Sequence, residues 1–257
     1  MPRPFFRRVL APALTALALV LAAPTPQAQA LDLDAMSDAE RAAFRAEVRA
    51  YLMDNPEVII EAVNLLESRN QAAQADAEKG MIAENADAIF NDGYSWVGGN
   101  PDGDVTLVEF MDYRCGYCRK AVAEVEALLA MDGNIRLVLK EYPILGDQSV
   151  VMSRFAVATR QVAGADAYKA VHDALMTLNG DVSETVLSRL ANGLGLDADA
   201  ILARMDHADV TRELGENRVL GQALGISGTP SFILEDEVLR GYLPANEMAK
   251  LVASKRD

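Results

Sequence analysis

The chain has 257 residues, of which 51% are hydrophobic, and it carries a formal net charge of −14 at pH 7. This length is enough for a leader segment followed by one or two domains with a sizeable core. A strongly acidic chain is a poor counterion for phosphate backbones and anionic lipids, so its charge argues against nucleic acid as a partner.

The beginning of the chain is typical of a secretory signal peptide. A basic start with three arginines precedes a short apolar run at residues 9–23, and Ala28-Gln29-Ala30 is a small-x-small cleavage site. The alternative is a membrane anchor, but the apolar run is shorter than the ~20 residues that span a bilayer. We therefore predict a signal peptide at residues 1–30 and a periplasmic or otherwise exported protein that is soluble after cleavage.

Residues 31–92 are predicted to form an N-terminal helical extension. Ser37 and Glu40 match a capping box, and apolar residues then recur at helical spacing. The apolar positions are Phe44, Val48, Tyr51, Leu52, Val58, Ile59, Val63 and Leu66. Such a face is buried either against the chain's own core or against a partner chain, so residues 34–90 are a candidate segment for self-association. Repeated glycines between residues 93 and 103 then predict a loop and a boundary.

Residues 93–257 are predicted to form an α/β domain. The predicted elements are a strand at 105–111, a helix at 121–131, a strand at 135–141, a helical stretch at 149–224, short strands at 231–234 and 238–241, and a helix from Pro244 to about 253. The first three elements make a βαβ unit, which implies a parallel pair of strands.

The cysteines of the chain are Cys115 and Cys118, in the motif Cys-Gly-Tyr-Cys directly after the first predicted strand. A disulfide between them closes too short a loop to stabilise a fold, which favours a chemical role. The positive end of the following helix stabilises a thiolate at Cys115. The spacing lets Cys118 reach back and resolve a mixed disulfide formed on Cys115.

Other uses of the cysteines find little support in the sequence. A structural zinc ion usually has four ligands, and no third cysteine is present. His172 and His207 lie far from the dithiol in sequence and are predicted to be ordinary surface or capping residues, which also disfavours a Cys–His protease site. We predict neither a metal nor an organic cofactor.

Two segments resemble the DsbA-like branch of the thioredoxin superfamily. They are Val-Glu-Phe-Met-Asp-Tyr-Arg-Cys-Gly-Tyr-Cys at 108–118 and Gly-Ile-Ser-Gly-Thr-Pro-Ser-Phe at 225–232. The resemblance covers residues 103–254 and implies a thioredoxin fold with an inserted helical domain, which matches the helical stretch at about 149–224. The N-terminal segment, with Asp-Asn-Pro-Glu at 54–57, resembles the secreted suppressor-of-copper-sensitivity C type, in which such an extension can mediate self-association.

The resemblance also implies a groove for protein substrates beside the dithiol. Pro230, with Thr229 before it, matches the family's cis-proline, next to which the backbone pairs with substrate like an added strand. Thr229 and Pro230, together with Gly116 and Tyr117, are the implied substrate-binding residues.

A third implied element is a buried acid on the strand before the first cysteine. Glu109 occupies that place, and the resemblance implies that it helps deprotonate Cys118. An acid between apolar neighbours is costly to bury as an anion, so its pKa is expected to be raised or the acid to be paired. Lys140, near the end of the next strand, is the candidate partner.

The resemblance leaves the redox role open among oxidase, isomerase and reductase. The dipeptide Gly116-Tyr117 lacks the histidine of the strongly oxidising type, and together with Thr229 it favours an isomerase or a moderate oxidase. The implied partners are exported cysteine-containing proteins and a membrane redox partner that resets the dithiol. A copper(I)-binding or chaperone module that uses the same dithiol is the alternative, since two thiolates suit a soft ion.

Overall fold

The computed structural model describes residues 33–256, so the predicted signal peptide at residues 1–30 lies outside the described residues. The chain divides into two compact units, one ending at Ala62 and the other beginning at Val63. The domain boundary predicted near residue 93 stays a prediction. Within the described residues, no helix is both long enough and apolar enough to cross a membrane.

The first unit contains helix α1 (Asp38–Asp54) and the start of helix α2 (Glu57–Glu84). The predicted capping box is present, because the Ser37 hydroxyl accepts from the Glu40 amide and the Glu40 carboxylate accepts from the Ser37 amide. Large apolar side chains of this unit are exposed to solvent. They are Phe44, Val48, Tyr51, Met53, Ile59 and Ile60.

The second unit holds the rest of α2 and all the strands. Its other elements are α3 (Ala86–Phe90), β1 (Trp96–Gly99), β2 (Val105–Met111), α4 (Gly116–Met131), β3 (Ile135–Glu141), α5 (Asp147–Ala163), α6 (Ala165–Thr177), α7 (Glu184–Gly193), α8 (Ala198–Arg204), α9 (Ala208–Ala223), β4 (Ser231–Leu234), β5 (Glu237–Arg240) and α10 (Ala245–Ser254). The predicted βαβ unit is β2–α4–β3, and the predicted helical insertion is the run α5 to α9.

The five strands form one mixed sheet in the order β1-β3-β2-β4-β5. Strands β2 and β3 are parallel as predicted, and the other neighbouring pairs are antiparallel. Because side chains alternate across a strand, β2 contributes to a core on each face of the sheet. Leu107 and Met111 pack with α4 on one face, and Val108 and Phe110 pack with α9 on the other. The α/β class and the thioredoxin fold predicted from the sequence are confirmed.

Strand β1 was not predicted, because residues 93–103 were assigned to a loop. Its four residues include Gly98 and Gly99, and they pair antiparallel with β3. A Cβ atom on Gly98 would lie 2.0 Å from the Trp96 ring, so this glycine lets the indole fold over the strand. A short edge strand with two glycines has no alternation of apolar residues, which is why its pattern is that of a loop.

Lys140 is not the partner of Glu109, so that prediction is wrong. In the parallel pair β2–β3, Lys140 lies opposite Phe110 and Glu109 lies opposite Leu139, which places the two charged side chains on opposite faces of the sheet. The buried ammonium of Lys140 instead donates to the Asp92 carboxylate and to the Ala88 carbonyl.

Candidate active site

The dithiol lies where β2 passes into α4. Cys115 is the N-cap residue of α4, and Cys118 lies in the first turn of the helix. Cys118 is fully buried, whereas 7% of Cys115 is exposed. Both thiols are free. The unpaired amide groups at the start of a helix favour an anion, and Cys115 has the position closest to them.

Asp112 fixes the loop between β2 and the dithiol. Its Oδ1 accepts from the Arg114 amide at 2.7 Å and from the Ser149 hydroxyl at 2.8 Å. Its Oδ2 accepts from the amides of Ile144 and Leu145 at 2.8 and 3.1 Å. This fully buried carboxylate therefore joins the residue before Cys115 to the start of α5. No local pattern in the sequence indicates this role, since all partners except Arg114 lie more than thirty residues away in the chain.

The loop that contains Thr229 and Pro230 lies against the first cysteine. The peptide bond between Thr229 and Pro230 is cis, and the Cys115 thiol donates to the Thr229 carbonyl at 3.0 Å. The Thr229 hydroxyl is buried, and it lies close enough to Cys118 to oppose the rise in the pKa of that thiol. Of the two residues between the cysteines, Tyr117 is 60% exposed, and the Lys120 ammonium lies 5.3 Å from its ring centroid.

Glu109 is buried on the face of the sheet that carries α4. Its Oε1 has no hydrogen-bond partner among residues 33–256, and burial raises the pKa of Glu109 to about 8. Burial also raises the pKa of the Cys118 thiol, and the nearby Glu109 carboxylate raises it further. The prediction of a raised pKa is confirmed, and its physical cause is desolvation without a compensating cation.

His172 is not a surface or capping residue, so its predicted placement is wrong. It is 96% buried on α6 with its Nδ1 atom 3.2 Å from the Tyr113 hydroxyl, and its ring stacks on Tyr168. The hydroxyls of Tyr113 and Tyr168 both donate to Glu141 Oε1 at 2.7 Å. The sequence missed this network, because its members come from three separate segments, the β2–α4 loop, β3 and α6. His207 does cap a helix, as the N-cap of α9.

Arg119 joins the dithiol helix to the helical insertion. Its Nε donates to the Tyr113 carbonyl at 2.9 Å, and its Nη2 donates to the Leu178 carbonyl at 2.8 Å. Arg114 donates to the Gly180 carbonyl at 2.8 Å. The residues around Cys115 are therefore hydrogen-bonded both to the β2–α4 loop and to the helical insertion. Between residues 33 and 256 there is no cluster of three or more side chains of the kind that holds a metal ion.

A reduced dithiol at the start of a helix, beside a cis-proline loop and on a thioredoxin sheet, defines a thiol–disulfide oxidoreductase. The model of the DsbA-like thioredoxin domain matches residues 106–253. The chain belongs to this DsbA-like family. The N-terminal domain of the copper resistance protein ScsC matches residues 40–73.

Solved structures agree with this family. A thioredoxin-like oxidoreductase from Silicibacter pomeroyi is 43% identical, with 66% of this chain and 96% of that chain covered and a TM-score of 0.62. The thiol–disulfide exchange protein α-DsbA2 from Wolbachia pipientis is 28% identical, with coverage of 71% and 98% and a TM-score of 0.66. Proteus mirabilis ScsC in a transitional conformation is 26% identical, with coverage of 86% and 97% and a TM-score of 0.62.

Among curated proteins, the similar segments belong to much longer chains. The Na⁺/H⁺ antiporter NhaA of Herminiimonas arsenicoxydans is 29% identical over 160 residues, which is 62% of this chain and 25% of the antiporter. The chain thus spans about a quarter of the length of the curated relatives it matches.

The two thiols are expected to differ in alkylation. At neutral pH, iodoacetamide is expected to modify Cys115 first, because Cys115 keeps 7% exposure against none for Cys118, and because burial raises the pKa of Cys118 and keeps it a thiol. Peptide mapping of the reduced protein after brief alkylation across a pH series measures both sites. Modification of Cys118 before Cys115 would reverse the assignment.

Proposed function

We propose that this protein exchanges disulfides with exported protein substrates, with Cys115 as the nucleophile and Cys118 as the resolving thiol. The observation that carries this proposal is the asymmetry of the pair, because Cys115 is the helix N-cap and keeps 7% exposure, whereas Cys118 is fully buried. A nucleophile has to meet a substrate sulfur, whereas a resolving thiol meets only its neighbour.

In the oxidising direction, a substrate thiolate attacks the Cys115 sulfur of the Cys115–Cys118 disulfide. A substrate–Cys115 disulfide forms, and Cys118 leaves as a thiolate that takes a proton. A second substrate thiolate then attacks the substrate sulfur, and Cys115 leaves as a thiolate stabilised by the helix end. The substrate loses two electrons and the dithiol gains them. In the isomerising direction, the Cys115 thiolate attacks a substrate disulfide, which forms a substrate–Cys115 disulfide and releases one substrate thiolate. A different substrate thiolate then attacks the substrate sulfur of this mixed disulfide, so a new substrate disulfide forms and Cys115 leaves as a thiolate.

Glu109 is proposed to exchange the proton of Cys118. When Cys118 resolves a mixed disulfide, its S–H proton passes to the Glu109 carboxylate, and the Cys118 thiolate displaces the substrate from Cys115. When Cys118 leaves the disulfide, protonated Glu109 returns the proton. The raised pKa of Glu109 near 8 supports both directions, because each protonation state is accessible near neutral pH.

The groove for the substrate backbone is proposed to include Thr229 and Pro230, beside Gly116 and Tyr117. In the reduced protein the Thr229 carbonyl accepts from the Cys115 thiol. A thiolate has no proton to donate, so ionisation of Cys115 frees this carbonyl for a backbone amide of an extended substrate. The exposed ring of Tyr117 offers an apolar surface next to it.

The redox role is proposed to be that of an isomerase or a moderate oxidase. Gly116-Tyr117 places no imidazolium next to the Cys115 thiolate, so the reduced form is stabilised less than in a strong oxidant. We expect a reduction potential nearer the about −180 mV of protein disulfide isomerase than the about −120 mV of DsbA. We also expect the reduced protein to reactivate scrambled ribonuclease.

Equilibration with glutathione buffers gives the potential, and a ribonuclease assay gives the isomerase activity. A potential near that of DsbA with no reactivation would show plain oxidation. The copper(I) alternative requires Cys118 as a thiolate, which burial opposes by raising its pKa.

The N-terminal unit is proposed to join two or more copies of the chain through its exposed apolar face. Val48, Ile59 and Ile60 line one groove of this unit and are each more than 40% exposed. Exposed apolar side chains grouped in this way mark an interaction surface. A membrane redox partner that resets the dithiol is also proposed, on the family resemblance alone.

Light scattering of the protein without residues 1–30 is expected to give more than one chain per particle. Replacing Val48, Ile59 and Ile60 together with aspartate is expected to give a single chain, since charge on a buried apolar face is strongly unfavourable. Val219→Asp, at an exposed apolar position of α9 outside the N-terminal unit, is the matched control and leaves the mass unchanged. A single chain in the unaltered protein would contradict the proposal.

A further inference from the structure

A cavity of about 120 Å³ lies between the sheet, α4 and α6. Glu109 on β2 and His172 on α6 both line it, so two different elements contribute polar side chains to its wall. The remaining walls are mostly apolar and include Trp96, Val125 and Leu139. The cavity is large enough for a few water molecules, and water stays in a buried site only where polar groups hold it.

Glu109 supplies the first polar group. Its side chain is 97% buried, and Oε1 has no hydrogen-bond partner within residues 33–256. An unpaired buried carboxyl oxygen is expensive, so a native structure normally satisfies it with a protein group or with ordered water. Here the space beside the carboxyl is this cavity.

His172 supplies the second polar group, and its hydrogen bonds fix which nitrogen is available. The single hydroxyl proton of Tyr113 is donated to Glu141, so the Tyr113 oxygen accepts from His172 Nδ1–H. Burial lowers the pKa of His172 to about 4, which keeps the ring neutral. In this tautomer Nε2 carries the lone pair and can accept a hydrogen bond.

We propose that this cavity carries the proton that Glu109 exchanges with Cys118, through water held between the Glu109 carboxyl and His172 Nε2. This inference rests on the proposed role of Glu109. The pathway reaches the surface at Glu126 and Lys169, which line the same cavity, are partly exposed and form an ion pair. His172 is a positioning residue, because it acts through water and Glu109 and does not touch the reacting sulfur.

The proton balance is simple. During resolution, Cys118–SH and the Glu109 carboxylate become the Cys118 thiolate and protonated Glu109. The thiolate displaces the substrate thiolate from Cys115, and protonated Glu109 loses its proton to the water at His172. The Glu109 carboxylate is thereby restored for the next cycle. The other polar residues of the cavity wall are Glu126 and Lys169 at its surface end, and the remaining lining is apolar.

Two substitutions of His172 separate this role from a packing role. His172→Asn retains a donor at the place of Nδ1 and so keeps the Tyr113 hydrogen bond, but it removes Nε2. His172→Gln places an amide oxygen or nitrogen near the position of Nε2 and loses the donor to Tyr113. If His172 has only a packing role, the rate of resolution by Cys118 is expected to be closer to that of the unaltered protein in the Asn variant. If His172 belongs to the proton pathway, that rate is expected to be closer in the Gln variant.

The reaction of the reduced protein with a chromogenic aromatic disulfide resolves the two steps in a stopped-flow instrument. Attack by Cys115 releases the first aromatic thiol, and resolution by Cys118 releases the second. We expect His172→Asn to slow the second release about tenfold at pH 7 and to leave the first release unaffected. This effect is smaller than the roughly 10²–10⁴-fold that a positioned acid or base contributes, because His172 acts through water and Glu109. We expect His172→Gln to lie within about twofold of the unaltered protein.

The pH profile of the second release, from pH 5 to 9, completes the test. The titratable and charged groups around His172 and Glu109 are Tyr113 on the β2–α4 loop, Cys118 and Glu126 on α4, Glu141 on β3, and Tyr168, Lys169 and Asp173 on α6. All of these are retained in both His172 variants, so a change in the profile reports on the imidazole. His207→Asn, at the exposed cap of α9, is the matched control.

The outcomes are distinct. If Glu109→Gln leaves the second release and its pH profile unchanged, the proposed role of Glu109 fails, and the pathway fails with it. If Glu109→Gln slows the release but His172→Asn does not, only the pathway through His172 is overturned. The pathway is also overturned if the less stable of the two His172 variants, as judged by melting temperature, is the slower in the second release, whether or not it has a polar group near the position of Nε2.

Discussion

Replacing Cys115 by serine is expected to reduce disulfide exchange by roughly 10³-fold or more, because a serine hydroxyl stays protonated at neutral pH and is a far weaker nucleophile than a thiolate. Cys115 is the N-cap of α4 and lies against the Thr229 carbonyl, so serine fits the same place and caps the helix. Turnover of a fluorescent disulfide-linked peptide by the reduced protein measures the loss.

The melting temperature provides the control for this loss. Cys115→Ser is expected to melt within a few degrees of the unaltered protein, since both thiols are free and no disulfide is removed. Residual exchange above about one per cent in a stably folded variant would mean that Cys118 attacks substrates directly, against its burial.

Replacing Glu109 by glutamine is expected to stabilise the fold by about 3 kcal/mol at pH 7. Burial raises the pKa of Glu109 from its ordinary value of 4.5 to about 8. Between these two pH values the unfolded chain binds fewer protons than the native protein, so the free energy of unfolding falls as the pH rises through this window. Glutamine does not titrate, so the free energy of unfolding of the variant does not fall through this window on account of residue 109. The same substitution is expected to slow resolution by Cys118.

Urea unfolding at pH 5 and at pH 8 measures this effect. The two proteins are expected to be close in stability at pH 5, with the variant more stable at pH 8. Glu141, whose pKa burial raises to about 7, titrates in both proteins, so its contribution cancels in the comparison. A difference between the two proteins that does not change with pH would contradict a raised pKa at Glu109.

Much of the fold could be predicted from the sequence, because its main signals are local. The apolar runs at β2 and β3 and the capping box at Ser37 each depend on a few neighbouring residues. The dithiol and the Thr229-Pro230 loop were identified from short motifs, and the structure brings Cys115 within 3.0 Å of the Thr229 carbonyl. Their distance of 114 residues in the chain could be bridged only through the family resemblance.

The contacts that could not be predicted from the sequence depend on which face of a strand or helix a residue occupies and on which residues pack against that face. Lys140 was assigned to Glu109 by nearness along neighbouring strands, but the register of β2 and β3 places the two on opposite faces. His172 was assigned to the surface, and only the packing of α6 over the sheet shows that it is buried beside Tyr113. Neither register nor helix packing is encoded in any short segment of the sequence.

The measurement that tests the proposed exchange reaction most directly is mass spectrometry of mixed disulfides under non-reducing conditions. The reduced Cys118→Ser variant is incubated with a disulfide-bonded protein, and the Cys115→Ser variant is treated in parallel. We expect a stable covalent adduct on Cys115 in the first variant, because it forms the mixed disulfide and lacks the thiol that releases it. We expect no adduct in the second variant. Equal adducts on both variants, or none on either, would contradict the assignment of Cys115 as nucleophile and Cys118 as resolving thiol.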